Sequence, residues 1–318
     1  MGPGGQRFWR QGRLSQHDSL DRGATLSAPF AFSAGTASAR TSLPAQACDA
    51  HIHVYDSRFP AVVGASLHPP DATIEDYRLV QQRMGTERAV LVTPSTYGAD
   101  NRPMLAGLAQ LGSQGRGVAV ITGDEPAAEL QTLHQLGVRG VRINLSLGVL
   151  HQPSDIEKVA RRIAPLGWHL QLLMPLEQLV ALLERLRVLP VELVFDHFGR
   201  VTPGLCGRHP AHALLLELLG AGRAWVKLSG GYLVSPDHDT DDPQLLPLAL
   251  SFIDAAPDRV IWGSDWPHVT ASAGRHPMPD DAAQIDALAR WAGDGQQLEQ
   301  ILVHNPQKLY GFDALTES

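Results

Sequence analysis

The sequence is short of cysteine, of long apolar runs and of basic clusters, and each shortage removes a class of protein. Two cysteines, Cys48 and Cys206, cannot build a disulfide framework, so a reducing compartment, the cytoplasm, is the expected setting. No apolar stretch is long enough to span a bilayer. The net charge is −7 and no block of Lys and Arg stands out, which argues against nucleic acid and anionic membranes as partners. A Gly-x-Gly-x-x-Gly turn after the first apolar run is also missing, which weakens a dinucleotide-binding Rossmann reading.

What is present is a chain of 318 residues, 44 % of them hydrophobic, enough for one barrel of about 250 residues plus a tail. Residues 1–45 are rich in Gly, Ser and Ala, carry Arg7, Arg10, Arg13, Arg22 and Arg40 against Asp18 and Asp21, and lack hydrophobic periodicity. They read as an unstructured tail. The weakly apolar patch around Pro29 is too short and too far from the start for a targeting signal. No Pro- or Gly-rich linker divides residues 46–318, which read as one catalytic domain. The sequence does not set an oligomeric state.

From residue 47 onward a short apolar run followed by an amphipathic stretch recurs. The runs are residues 48–54, 88–95, 117–122, 140–145, 169–173, 192–196, 225–229 and 260–264. Short, continuously apolar runs are how strands buried on both faces read. Helices are expected at 74–85, 126–136, 155–166, 176–186, 212–220, 244–255 and 281–291. Thr73 and Asp76 suit a capping box at the first, and Gly137 and Gly167 suit the ends of the second and third. Eight strand–helix units predict an α/β fold, a (β/α)8 barrel of the TIM type, with its longest loops after strands one, seven and eight.

The first strand ends Asp49-Ala50-His51-Ile52-His53. Positions i and i+2 of a strand share a side, so both imidazoles would point into the barrel mouth. The sixth strand ends Val194-Phe195-Asp196-His197-Phe198-Gly199-Arg200, and the eighth ends Trp262-Gly263-Ser264-Asp265-Trp266-Pro267-His268. Taken singly, a buried His pair, a loop His and an N-cap Asp are ordinary structural devices. In a barrel the three strand ends converge, and His51, His53, His197 and Asp265 meet where such folds keep their active sites.

This combination resembles the amidohydrolase superfamily, and within it the lactonase-like branch of 2-pyrone-4,6-dicarboxylate hydrolases, sulfomuconolactone hydrolases and galactarolactone isomerases. Tyr55-Asp56-x-Arg58-Phe59-Pro60, Gly98-x-Asp100-Asn101, Arg139-Gly140-Val141-Arg142 and His304-Asn305-Pro306 extend the resemblance over roughly residues 47–312. Metal-dependent members carry a Lys or Glu at the end of the fourth strand and a His at the end of the fifth. Here the fourth strand carries Arg142, which offers no lone pair, and the fifth ends Gln171-Leu172-Leu173-Met174. The resemblance therefore implies a hydrolase without cofactor. The alternative is one Zn or Mn ion on His51, His53 and Asp265, serving a hydrolase or decarboxylase.

The resemblance implies that Asp265 takes a proton from water attacking a lactone carbonyl. His51, His53 and His197 would donate hydrogen bonds to the carbonyl oxygen. Arg142 would grip a substrate carboxylate or serve as a structural ion pair. Ser95, Tyr97, Tyr232 and Lys227 are further candidates for substrate contact, with Asp196 or Asp265 as the ammonium's partner. The pyrone-dicarboxylate hydrolases hold a second carboxylate with arginines after strands four and seven. The matching stretches, Leu145-Ser146-Leu147-Gly148-Val149 and Gly230-Gly231-Tyr232-Leu233, have none. The expected substrate is a small lactone with one carboxylate, of the muconolactone or sugar-acid type. A lactone isomerase and a non-catalytic binding barrel are the rival readings; the intact His-x-His pair favours hydrolysis.

Overall fold

In the computed structural model, which describes Met1 and residues 30–147 and 150–313, the eight apolar runs form eight parallel strands in sequence order. They are β1 (Cys48–Ile52), β2 (Arg88–Val92), β3 (Gly115–Ala119), β4 (Val138–Asn144), β5 (His169–Leu173), β6 (Leu193–Phe195), β7 (Ala224–Ser229) and β8 (Val260–Gly263). Every residue of β1, β2, β3, β7 and β8 is buried, because the barrel lumen lies on one side and the helices cover the other. Among the described residues no helix is long and apolar enough to cross a membrane.

The seam between β8 and β1 closes just beyond β8. Asp265 N–H donates to His51 O at 2.9 Å and His53 N–H donates to Trp266 O at 2.8 Å. Ser264 adds its amide and hydroxyl to the Asp49 carboxylate at 2.9 and 2.6 Å. Gly263 permits this approach: a Cβ there would lie 2.5 Å from His51 Cβ and 2.6 Å from His51 N.

The helices start and stop close to where capping chemistry places them. Helix Ile74–Met84 carries the Thr73–Asp76 capping box and ends on Gly85 at φ +88°. Helix Arg102–Leu111 was not apparent from the pattern. Pro103 and Gly107 blur its periodicity, and Gly107 is there because a Cβ would come within 2.5 Å of Leu91 Cδ2.

Residues 30–45 depart from the expected unstructured tail and pack on the barrel. Phe32 meets the Trp266 ring edge-on at 5.8 Å, and Trp266 Nε1 donates to Ala31 O at 3.0 Å. The buried Arg83 guanidinium collects Ser33 Oγ, Ala34 O and Ala37 O at 2.7–3.0 Å. Residues 2–29 of that segment, and Gly148 and Val149 after β4, lie outside the described residues.

Candidate active site

Strand alternation brings the two imidazoles of β1 together, with Nε2 of His51 and of His53 3.3 Å apart. His53 Nδ1 lies 2.7 Å from Val92 O. A carbonyl only accepts, so this nitrogen carries the proton. Burial, then the Arg142 guanidinium, push His53 down to about 4, leaving it neutral near pH 7 with a bare Nε2. That differs from its expected role as a donor to the substrate. Burial, then Lys227, hold His51 well below its ordinary value.

Lys227 lies wholly within the barrel. Its ammonium reaches Ala50 O at 2.9 Å, Gln171 Oε1 at 2.9 Å and His51 Nδ1 at 3.2 Å. Burial brings it down to about 8. Asp196 Oδ2 accepts from Arg142 Nε and Gln171 Nε2, both at 3.0 Å. Its Oδ1 makes no hydrogen bond of good geometry, lying 3.3 Å from His51 Nδ1 and 3.6 Å from Lys227 Nζ.

After β6, His197, Phe198, Gly199 and Arg200 run at φ +52° to +65°. A left-handed turn containing three non-glycine residues is costly and tends to mark function. It sets His197 and Arg200 on the cavity wall, with His197 Nδ1 3.0 Å from Ser229 Oγ.

Asp265, itself at φ +68°, stands at the centre. Its Oδ1 is 3.5 Å from His51 Nε2, 3.7 Å from His53 Nε2 and 3.7 Å from His197 Nε2. Its Oδ2 accepts from the Tyr232 hydroxyl at 2.7 Å. Burial alone would raise the carboxyl, but His197, His51 and the Tyr232 hydroxyl outweigh it and hold Asp265 at about 2. Among the described residues His51, His197 and Asp265 bring one ligand-type atom each within 4.8 Å of one another, a set that could hold an ion.

The cavity over this cluster measures about 260 Å³, room for a small organic molecule. Asp265, His53, His197, Arg142 and Ser95 line it, and His51 sits immediately behind. Tyr97, Tyr232 and Lys227 are not on its wall. The Tyr97 hydroxyl is taken up by the main chain of Asp56, and Tyr232 lies behind Asp265. Tyr55, Asn144, Arg200 and Arg275 line the cavity without having been singled out. Tyr55 and Arg200 stand within the stretches that carry the family resemblance, which was the available signal. Arg142 is both ion pair and wall. Arg200 and Arg275 make no ion pair with a described carboxylate, so the positive charge exceeds that of the one guanidinium expected.

The amidohydrolase family model matches residues 48–312. The chain belongs to the amidohydrolase family. It is 34 % identical over 282 residues to a 2-pyrone-4,6-dicarboxylate hydrolase of Comamonas testosteroni, covering 84 % of this chain and 91 % of that one. It is 30 % identical over 275 residues to a D-galactarolactone isomerase of Agrobacterium fabrum, covering 85 % and 92 %. A crystal structure of a probable 2-pyrone-4,6-dicarboxylic acid hydrolase from Acinetobacter baumannii, with citric acid bound, superposes with a TM-score of 0.73 at 29 % identity, over 84 % of this amidohydrolase and 100 % of that chain.

Proposed function

We propose that this amidohydrolase opens the ring of a small anionic lactone by adding water to its carbonyl, without a metal ion, as a cytoplasmic catabolic enzyme. The observation that carries the reading is Asp265 Oδ1, faced by three imidazoles at 3.5–3.7 Å beneath an arginine-lined cavity. Relatives that hydrolyse or isomerise lactones support it.

In this mechanism Asp265 Oδ1 accepts a proton from water as the water oxygen bonds to the carbonyl carbon. A carboxylate at about 2 is a weak base, so the electrophile must be polarised. With Nδ1 accepting from Ser229, His197 presents Nε2–H to the developing oxyanion. The ring C–O bond then breaks, and Asp265 returns its proton to the leaving oxygen. The product carboxylic acid ionises and releases one proton. Arg142 and Arg200 hold the substrate carboxylate; Arg275 lies at the rim, near any second polar group.

Proton placement on His51 separates the metal-free reading from the metal-bound one. If His51 Nδ1 carried the proton toward Asp196, its bare Nε2 would face the bare Nε2 of His53 at 3.3 Å, an arrangement that needs a cation between them. If Lys227 instead donates to Nδ1, its three N–H groups meet three acceptors. His51 Nε2–H then points at His53 and Asp265, and no ion is required. A bound Zn or Mn ion would take the other arrangement, held by His51 and Asp265 with His53, or with a His197 whose Nε2 is bare.

Muconolactones, sulfomuconolactone, aldonolactones and aldarolactones, screened in weak buffer, test the activity. Hydrolysis releases acid and isomerisation does not. Asp265→Asn should abolish turnover; a variant as fast as the parent refutes the base. Stoichiometric metal in purified protein, with activity lost to a chelator, refutes the metal-free part.

A further inference from the structure

Tyr232, His268 and Asp281 are fully buried, and none lies on the cavity wall. They form a continuous line behind Asp265. The Tyr232 hydroxyl is 2.7 Å from Asp265 Oδ2 and 3.1 Å from His268 Nδ1. His268 Nε2 is 3.0 and 3.1 Å from the two oxygens of Asp281.

The proton positions in this line follow from donor and acceptor capacity. An ionised Asp265 only accepts, so the single hydroxyl proton of Tyr232 points at Oδ2. The phenol oxygen then needs a donor, and His268 Nδ1 is the neighbour that can supply one. Nε2 faces a carboxylate, so it carries a proton as well. His268 is therefore an imidazolium, paired with Asp281.

The surroundings agree. Burial works against the charge, but Asp281 outweighs it and holds His268 above its ordinary value, with Asp265 and Asp49 adding to this. Asp281 opens helix Asp281–Ala292, where the helix dipole favours an anion, and it accepts a further hydrogen bond from Gln284 Nε2 at 3.1 Å.

We infer that His268 and Asp281 are positioning residues that lock the Tyr232 proton onto Asp265 Oδ2, which leaves Oδ1 alone to receive the proton of the attacking water. A neutral His268 would offer Nδ1 as a competing acceptor, and Tyr232 could turn away from the base. The lock also keeps Asp265 acidic, which speeds return of its proton to the leaving ring oxygen. The inference rests on Asp265 as the base.

Two measurements test it. Nitrogen-15 NMR of the histidine side chains at pH 7.5 needs no substrate. The difference between the parent and His268→Gln, or Asp281→Asn should the first variant not fold, identifies His268. Two protonated ring nitrogens are expected, and one bare nitrogen overturns the lock. With the lactone found by the screen, Tyr232→Phe and Asp281→Asn should each lower kcat about ten- to a hundredfold at similar KM, as for other supports of active-site groups. The double variant should be no slower than the slower single one. Losses that multiply, or that fall on KM, overturn the proposal. Full turnover in Asp265→Asn would refute the base itself, an outcome distinct from either.

Discussion

The amide of Asp265 donates to the carbonyl of His51 at 2.9 Å, so the main-chain bond that closes the barrel joins two residues of the candidate site. Closure and the proposed chemistry share the same residues here. Asp265 cannot move from the β1 imidazoles without opening the seam, and its positive φ, +68°, is strain that the seam maintains.

Gly263 is the position at which this coupling can be probed. An alanine Cβ would meet backbone as well as side-chain atoms of His51 at 2.5–3.0 Å, and backbone cannot step aside as a flexible side chain can. Gly263→Ala is expected to destabilise the fold by about 1–3 kcal/mol, the usual cost of overpacking, and to lower turnover disproportionately by displacing His51. Thermal unfolding and initial rates on the same preparation check this. A variant with parental Tm and rate would mean that β1 and β8 have slack.

Arg142 and Arg200 should respond in opposite ways to removal of charge. Arg142 Nε is paired with the fully buried Asp196 at 3.0 Å, so Arg142→Met leaves that carboxylate one hydrogen bond, from Gln171, with His51 and Lys227 3.3 and 3.6 Å away. A stability loss of about 3 kcal/mol is expected, the low end for breaking a buried pair. Arg200 is half-buried, and burial lowers its guanidinium from the ordinary value, yet it has no carboxylate partner within ion-pair distance among the described residues. Arg200→Met should keep or raise Tm while raising KM about tenfold or more, the worth of a charge-assisted hydrogen bond. Chemical denaturation and saturation kinetics separate the two effects. A large stability loss in Arg200→Met would make that residue structural.

Much of this was legible in the sequence, for identifiable reasons. Buried parallel strands are continuous apolar runs, so the barrel showed itself as spacing. His51, His53, His197 and Asp265 stand at strand ends, where their convergence follows from topology alone. Direction of side chains was harder. Tyr232 follows β7 as a substrate-binding residue would, but the short helix Gly231–Val234 turns it behind Asp265. Arg200 reaches the cavity through four consecutive left-handed residues, and Gly199 alone among them announces such a turn. Residues 30–45 lack periodicity because they are held by scattered partners distant in sequence, with hydrogen bonds to Arg83 and Asp286 and contacts of Ala31 and Phe32 with Trp266, rather than by one continuous apolar face.

Activity should be flat between about pH 5 and 7. Asp265, held at about 2, is ionised throughout. As pH falls through about 4, His53 takes a proton on Nε2 and loses its acceptor, which sets the acid limb. As pH rises through about 8, Lys227 gives up its proton, and its donation to His51 weakens, which sets the alkaline limb. The pH profile of kcat/KM checks both. An acid limb at the ordinary histidine value near 6.5 would contradict a neutral, buried His53.

Stability should fall as the medium is acidified from pH 6.5 to 4. Burial lowers His53 to about 4 and His169 to about 3, and neither nitrogen of His169 has a hydrogen-bond partner that would welcome a charge. In the unfolded chain both titrate near 6.5, so within this window the unfolded state binds more protons and is favoured as pH drops. Each such group contributes a slope of at most about 1.4 kcal/mol per pH unit. Asp49 acts in the opposite direction: burial raises it to about 6, so it binds its proton in the folded state first and takes back one of the two slopes. A net loss near 1.4 kcal/mol per pH unit remains, and His51 and His197, both lowered mainly by burial, add to it. Urea unfolding at pH 6.5 and 4.5 measures the difference. Equal or greater stability at the lower pH would mean that the imidazoles of the barrel are charged in the folded protein, and the hydrogen-bond arrangement assigned to His51 and His53 would fail with them.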